Sequence, residues 1–251
     1  MKPIVLALCL IGFLNMAIAT PPPPASTCRG TLYLTLDTGS MQSADTIAQI
    51  LQRHHVIATF FVANEPTWRG DHALDETWRS YWQARVAEGH QFGNHTWYHT
   101  TFVRDLASGN IQTRGGDHAP RTLDETQFCQ NLQRVNQQFQ NLTGRPLAPL
   151  WRAPGGKLTP NAITWAANCG FPNHIGWSPA GFLGDELPSE IYPNARLLQQ
   201  ALTRIKSGDI LMMHLGIRSR HDPFVRVLEP LISDLQKKGF CFSPLPAHAL
   251  Q

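Results

Sequence analysis

The chain has 251 residues, with 21 Lys and Arg against 18 Asp and Glu and a formal net charge of +3. Its isoelectric point near 8.7 comes from scattered basic residues rather than a Lys/Arg run. That pattern excludes a nucleic-acid binder and a protein held to a membrane by a polybasic patch.

The first residues read as a secretory signal. Lys2 supplies the positive charge, Ile4 to Leu14 the apolar run and Ala17-Ile18-Ala19 the cleavage pattern, so cleavage is expected after Ala19. The apolar run is short for a bilayer span of roughly 20 residues, and no later segment resembles a stable membrane span. Residues 1–19 are assigned to the signal, 20–29 to a leader stiffened by Pro21 to Pro24, and 30–251 to one folded domain. A secreted or periplasmic protein is expected. Cys9 leaves with the signal, and Cys28, Cys129, Cys169 and Cys241 remain, an even number suited to two disulfides. Three pairings are possible. Cys28–Cys241 is preferred, because a closed barrel makes the first and last strands neighbours, and Cys129 and Cys169 are placed to staple adjacent outer helices.

From residue 30 onward, strand-like and helix-like segments alternate. Strands are expected at 31–37, 56–63, 90–94, 149–152, 173–177, 208–214 and 240–244, and helices at 42–53, 77–88, 124–142, 159–168, 195–206 and 224–237. Thr122-Leu123-Asp124-Glu125 opens the third helix with a capping-box-like pattern, and Gly144, Gly170 and Gly239 stand where helices stop. The alternation predicts α/β architecture with parallel strands: a distorted (β/α) barrel of about seven strands, with a doubly wound open sheet as the competitor. Segments 64–76 and 100–121, rich in Gly, Asp and Arg, are read as irregular loops on the functional rim.

Polar residues gather at the carboxyl ends of these strands, where barrels of this kind build their sites. Asp37 ends the first strand, Asn94-His95 the third, Arg152 the fourth, Trp177 the fifth and His214 the sixth. In "HTWYH", His95 and His99 are four apart, a spacing that puts two imidazoles on one face of a helical turn where both can bind a divalent metal. In "WRAPGG", Arg152 can hold a carboxylate by two hydrogen bonds, and the glycine amides can face a developing oxyanion. His214, near the end of an apolar strand, is a candidate general acid.

These pieces, in this order, resemble the NodB-type polysaccharide deacetylases, the family-four carbohydrate esterases, over residues from about 30 to 245. Members carry TFDDG, H[ST]xxH, RxP[YF]G, a DxxDW-like segment and a final LxH on a distorted (β/α) barrel. The resemblance implies that Asp37 is the catalytic base, that His95 and His99 bind the metal, that Arg152 holds the base's carboxylate and that His214 is the general acid. It also implies a divalent ion, zinc with cobalt or nickel as alternatives. The implied reaction is hydrolysis of acetyl groups from an N-acetylated (or O-acetylated) polysaccharide or peptidoglycan glycan.

Three positions depart from the family pattern. Thr38 stands where members have a metal-binding aspartate, so it is expected to orient a metal-bound water or to be relieved by another ligand, with Asp117, His118, Asp185 and Asp45 as candidates. Gly155 replaces the aromatic after RxP and keeps only the backbone amide expected to face the oxyanion. In "WSPAGFLGDE", Trp177 is kept and Asp185 is the stand-in for the missing aspartates. Trp97, Trp177 and Asp185 are the expected substrate contacts, although Trp68, Trp78, Trp82, Trp151 and Trp165 are equally able to stack on sugars or to fill a core. The alternatives to a deacetylase are a non-catalytic carbohydrate-binding barrel and a metal-independent amidohydrolase acting on a non-peptide C–N bond.

Overall fold

The computed structural model of the chain describes residues 28–116 and 118–246. The assigned signal, most of the leader, Asp117 and the last five residues lie outside the described residues.

Parallel strands and helices alternate as expected. Strand β1 (Gly30–Asp37) is followed by helix α1 (Ala44–Arg53), β2 (Thr59–Val62), a single 3₁₀ turn at Glu76–Trp78, α2 (Arg79–Ala87) and β3 (Gln91–Asn94). An excursion of β4 (Thr101–Asp105), β5 (Ile111–Arg114) and β6 (Thr122–Leu123) precedes α3 (Glu125–Thr143) and β7 (Leu150–Trp151). A 3₁₀ turn at Pro154–Gly156, α4 (Pro160–Asn168), β8 (Asn173–His174), α5 (Asn194–Arg204), β9 (Ile210–His214), α6 (Val225–Lys237) and β10 (Phe240–Phe242) complete the order.

The 7-stranded sheet runs β10-β1-β2-β3-β7-β8, with β9 also pairing with β1, and every ladder in it is parallel. β1 serves two partners in succession: Gly30–Leu32 pair with β10 and Tyr33–Asp37 with β9. No ladder joins β8 to β9 among the described residues. An irregular segment closes the ring instead, through Ser178 N–H to the Ile210 carbonyl (3.1 Å) and Met212 N–H to the Gly181 carbonyl (2.8 Å). A Cβ at Gly181 would stand 1.9 Å from the Ile210 carbonyl oxygen, so only glycine lets that segment approach β9. This is the expected distorted barrel, and the open sheet is set aside.

Two apolar layers hold it. Leu32, Leu34 and Leu36 of β1 pack outward into the main core with Ile47, Ile50 and Leu51 of α1, whose i, i+3, i+4 spacing makes one buried stripe. A smaller cluster of Phe61, Leu150, Ile175 and Leu245 fills the inside of the barrel. The two disulfides form as Cys28–Cys241 and Cys129–Cys169, with Cα separations of 5.6 and 5.3 Å, joining the start of β1 to β10 and α3 to the end of α4.

Two expectations are corrected. Segment 100–121 is not an irregular loop but holds most of a 3-stranded antiparallel sheet, β4-β5-β6. The capping box of α3 lies at Asp124, which accepts from Gln127 N–H at 2.8 Å, because Thr122 and Leu123 are already paired with β5.

Candidate active site

Parallel register lines up the carboxyl ends of the strands. Asp37 closes β1 opposite His214 of β9 and Phe61 of β2, while Asn94 closes β3 opposite Trp151 of β7. His95 and Arg152 are the next residues along, so four of the expected side chains meet on one rim.

Arg152 crosses the barrel interior, fully buried, with its guanidinium 4.2 Å from the Phe61 ring centroid. Nη1 donates to Asp37 Oδ1 at 2.8 Å, Nε to the Ile175 carbonyl at 3.0 Å and Nη2 to the Gly176 carbonyl at 2.9 Å. It therefore grips the carboxylate by one hydrogen bond rather than the expected two, because the other donors anchor it to the irregular segment just after β8. Asp37 itself is 2% exposed. Burial alone would raise its pKa, but the charge of Arg152 above all, with the His95 and His214 imidazoles, holds it below the usual carboxylate range. It is ionised at neutral pH.

His95 is buried with Nε2 3.5 Å from Asp37 Oδ2 and Nδ1 2.9 Å from the Arg152 carbonyl. That carbonyl can only accept, so Nδ1 carries the proton and Nε2 presents a lone pair. Burial lowers the His95 pKa to about 4 against the pull of Asp37, so the ring is neutral. The segment carrying His95 and His99 is not a helical turn. Thr96 and His99 have φ of +66° and +50°, and the bend is held by Asn94 Oδ1 accepting from Thr96 N–H and Asn131 Oδ1 accepting from Trp97 N–H. The bend nevertheless brings the two imidazoles to 4.8 Å between centroids.

His214 faces Asp37 from β9. Asp185 Oδ2 accepts from its backbone N–H at 2.7 Å and meets its Nδ1 at 3.1 Å. Burial opposes the charge, but Asp185 above all, with Asp37 and Glu65, raises the His214 pKa to about 10. A neutral ring that presents a lone pair, an ionised carboxylate and a charged imidazole thus share one cleft.

Residues 25–174 match the polysaccharide deacetylase family. The chain belongs to that family. It is similar to a chitooligosaccharide deacetylase of Bradyrhizobium sp. (strain ANU 289), at 24% identity over 233 residues, 86% of this chain and 89% of the relative. A family 4 carbohydrate esterase from Streptomyces lividans, solved in complex with acetate, superposes with a TM-score of 0.65 at 18% identity, covering 89% of this chain and 96% of the esterase. A family 4 acetyl xylan esterase from Clostridium thermocellum, solved with a cobalt ion, gives 0.64 at 18% identity over 85% of this chain and 87% of that one.

The positions that depart from the deacetylase pattern have their own partners. Thr38 Oγ1 donates to Glu65 Oε2 at 2.6 Å, and the Gly39 amide donates to the same oxygen at 2.8 Å. Glu65 Oε1 lies 3.4 Å from His99 Nδ1. Burial works to raise the Glu65 pKa, yet His99, the Thr38 hydroxyl, His95 and the Gly39 amide bring it below its ordinary value. Glu65 did not emerge from sequence reasoning. It lies in the loop three residues beyond β2, at the same end of the barrel as His95, and that position was the available signal.

Of the other candidates, Asp45 is 69% exposed and faces Arg69, away from the cleft. Asp185 is buried behind His214 rather than on a wall open to a substrate. His118, with Trp97, His99 and Arg134, lines a groove of about 450 Å³ next to the cleft, and Arg134 stacks 3.8 Å from the Trp97 ring. Trp177 stands on the other side, 5.6 Å from Arg152 and against Gly156. Gly155 is exposed with φ of +64° in the turn after β7, where a Cβ would meet only Thr101 Oγ1 at 3.7 Å. Trp78, Trp82 and Trp151 fill the core. Among the described residues, no three His, Cys, Asp or Glu side chains already enclose one point. The donors stand instead as two pairs, His95 with Asp37 and His99 with Glu65.

Proposed function

We propose that this protein hydrolyses acetyl groups from an N-acetylated or O-acetylated glycan, with a divalent cation as cofactor. The observation that carries the reading is the opposition of ionised Asp37, held by Arg152, to charged His214, held by Asp185, across a cleft that also holds a neutral imidazole. The donor set suits a borderline cation: His95 Nε2 is a free lone pair with its tautomer fixed from behind, and His99 lies beside it. A cation held there supplies Lewis acidity to the acetyl carbonyl and to the attacking water.

The chain's own residues do the rest. Asp37 takes the proton of the attacking water, and Arg152 keeps it ionised until that moment. The Gly155 amide donates to the developing oxyanion. His214 gives its proton to the departing amine or alkoxide, and Asp185 keeps the imidazole charged and oriented. Trp97 and Trp177, half-buried on either side, are flat faces for sugar rings. We read the protein as exported, because two disulfides persist in oxidising compartments. No helix of the described residues is long and apolar enough to cross a membrane.

The test is acetate release from chitin oligomers, peptidoglycan and acetylated xylan by protein loaded with Zn²⁺ or Co²⁺. Release that disappears in Asp37→Asn and His214→Ala is expected. No acetate from any of these glycans would leave the barrel a carbohydrate binder.

A further inference from the structure

We infer that Glu65 takes over the metal-ligand position left by Thr38, so that the cation site is His95, His99 and Glu65. The inference rests on the metal-dependent reading above and adds a ligand from β2's loop.

Three observations converge on it. Glu65 Oε1 and His99 Nδ1 are 3.4 Å apart. Two corners of a tetrahedron whose arms are about 2.1 Å long are separated by about 3.4 Å, so this pair has the spacing of two ligands on one ion. Second, the Glu65 side chain is only 16% exposed and, among the described residues, no Lys or Arg pairs with it. Asp37 has Arg152, but the nearest basic side chain to Glu65 is the His99 imidazole, 3.4 Å away. A buried carboxylate without a compensating charge is costly, and a divalent ion would supply that charge.

Third, Thr38 is built to aim Glu65. Its hydroxyl donates to Oε2 while accepting from the Ala63 amide at 3.3 Å, and the Gly39 amide supplies a second donor to Oε2. One carboxylate oxygen is thereby occupied by fixed donors, and the other is left facing the histidines. Hydrogen-bonded carboxylates of this kind are the usual ligand arrangement around a protein-bound ion. The aspartate's charge has thus moved from the end of β1 to the loop after the neighbouring strand, β2. In its former place is a hydroxyl that orients the substitute.

Glu65→Gln keeps the shape and both donor contacts of Oε2 but removes the charge. The full chain and this variant are loaded with Zn²⁺ or Co²⁺, dialysed, and compared by metal content, by competition titration and by the visible spectrum of bound Co²⁺. The expected result is about 100-fold weaker binding or more, with an altered Co²⁺ spectrum. Thr38→Val, which loosens the aim only, should weaken binding about 10-fold. Adding Thr38→Asp to Glu65→Gln should restore binding by returning a carboxylate to β1.

Wild-type affinity and an unchanged Co²⁺ spectrum in a folded Glu65→Gln would overturn the assignment. Should that variant fail to fold, an unchanged affinity in Thr38→Val does the same. A wild type that releases acetate yet takes up no metal removes Glu65 as a ligand and leaves the deacetylase reading standing. One that binds metal through Glu65 but deacetylates nothing does the reverse.

Discussion

Replacing Asp185 with Asn removes one charge and little else. The Asn carbonyl still accepts from the His214 amide, a 2.7 Å bond in the native protein, and its size is unchanged. What disappears is the strongest favourable interaction of the His214 ring, which lies 3.1 Å away and is 10% exposed. Lifting an imidazole from 6.5 to about 10 corresponds to roughly 5 kcal/mol of preference for its charged form, shared among Asp185, Asp37 and Glu65. A folded-state pKa above the unfolded value stabilises fully below pH 6.5, and that stability is lost as pH rises towards 10. Asp185→Asn should therefore cost about 2–4 kcal/mol at pH 6, with the gap to wild type closing by pH 10. Urea unfolding of both proteins across this range measures the gap directly. The same change should move the basic limb of the kcat/KM profile to lower pH, since His214, the proposed general acid, then loses its proton earlier. A gap that stays constant with pH, together with an unmoved basic limb, would refute the role assigned to the pair.

Arg152→Met should lower the melting temperature by the equivalent of about 3–5 kcal/mol, since it strips the buried Asp37 of its partner and leaves the Ile175 and Gly176 carbonyls without their donor. Asp37, no longer held below its ordinary range, should carry the acid limb of the pH–rate profile upward. Cys129→Ser opens a disulfide that closes a separation of 40 residues; the loop-entropy relation gives about 4 kcal/mol, measurable by urea unfolding, with kcat unchanged because the bond lies on the outer helices. Gly156→Ala would place a Cβ 2.6 Å from Trp177 Cη2, so it should displace that ring and raise KM for a sugar oligomer several-fold while kcat changes little, a split that steady-state kinetics resolves.

The barrel was legible because its strands are apolar runs that end abruptly in chemistry. Leu32, Leu34 and Leu36 lead to Asp37, and Leu211 to Met213 lead to His214, so the element and its cargo announce each other. The antiparallel excursion was not legible. In Phe102 to Asp105 only the Phe is buried, and in Ile111 to Arg114 the burial alternates over just four residues, so neither strand carries a long enough pattern to stand out from a loop. The bend at Thr96 and His99 was hidden for another reason. Positive φ at residues other than glycine has no local signature and is imposed here by Asn94 and by Asn131 of α3. Glu65 is a different case, because the reasoning that located Asp37, His95, Arg152 and His214 also applies three residues beyond β2. What sequence could not reveal was the 2.6 Å contact that turns Thr38 from a missing ligand into an anchor. Asp37, Glu65, Asp185 and Glu186 bring four carboxylates to the cleft, Glu186 at its open edge, 47% exposed and 3.9 Å from His214 Nε2, while Arg152 and His214 bring two positive charges and His95 is neutral. Arg152 answers Asp37 and His214 answers Asp185, so among the three carboxylates held away from solvent the one without an Arg or charged imidazole of its own is Glu65, beside the two histidines that a cation would use.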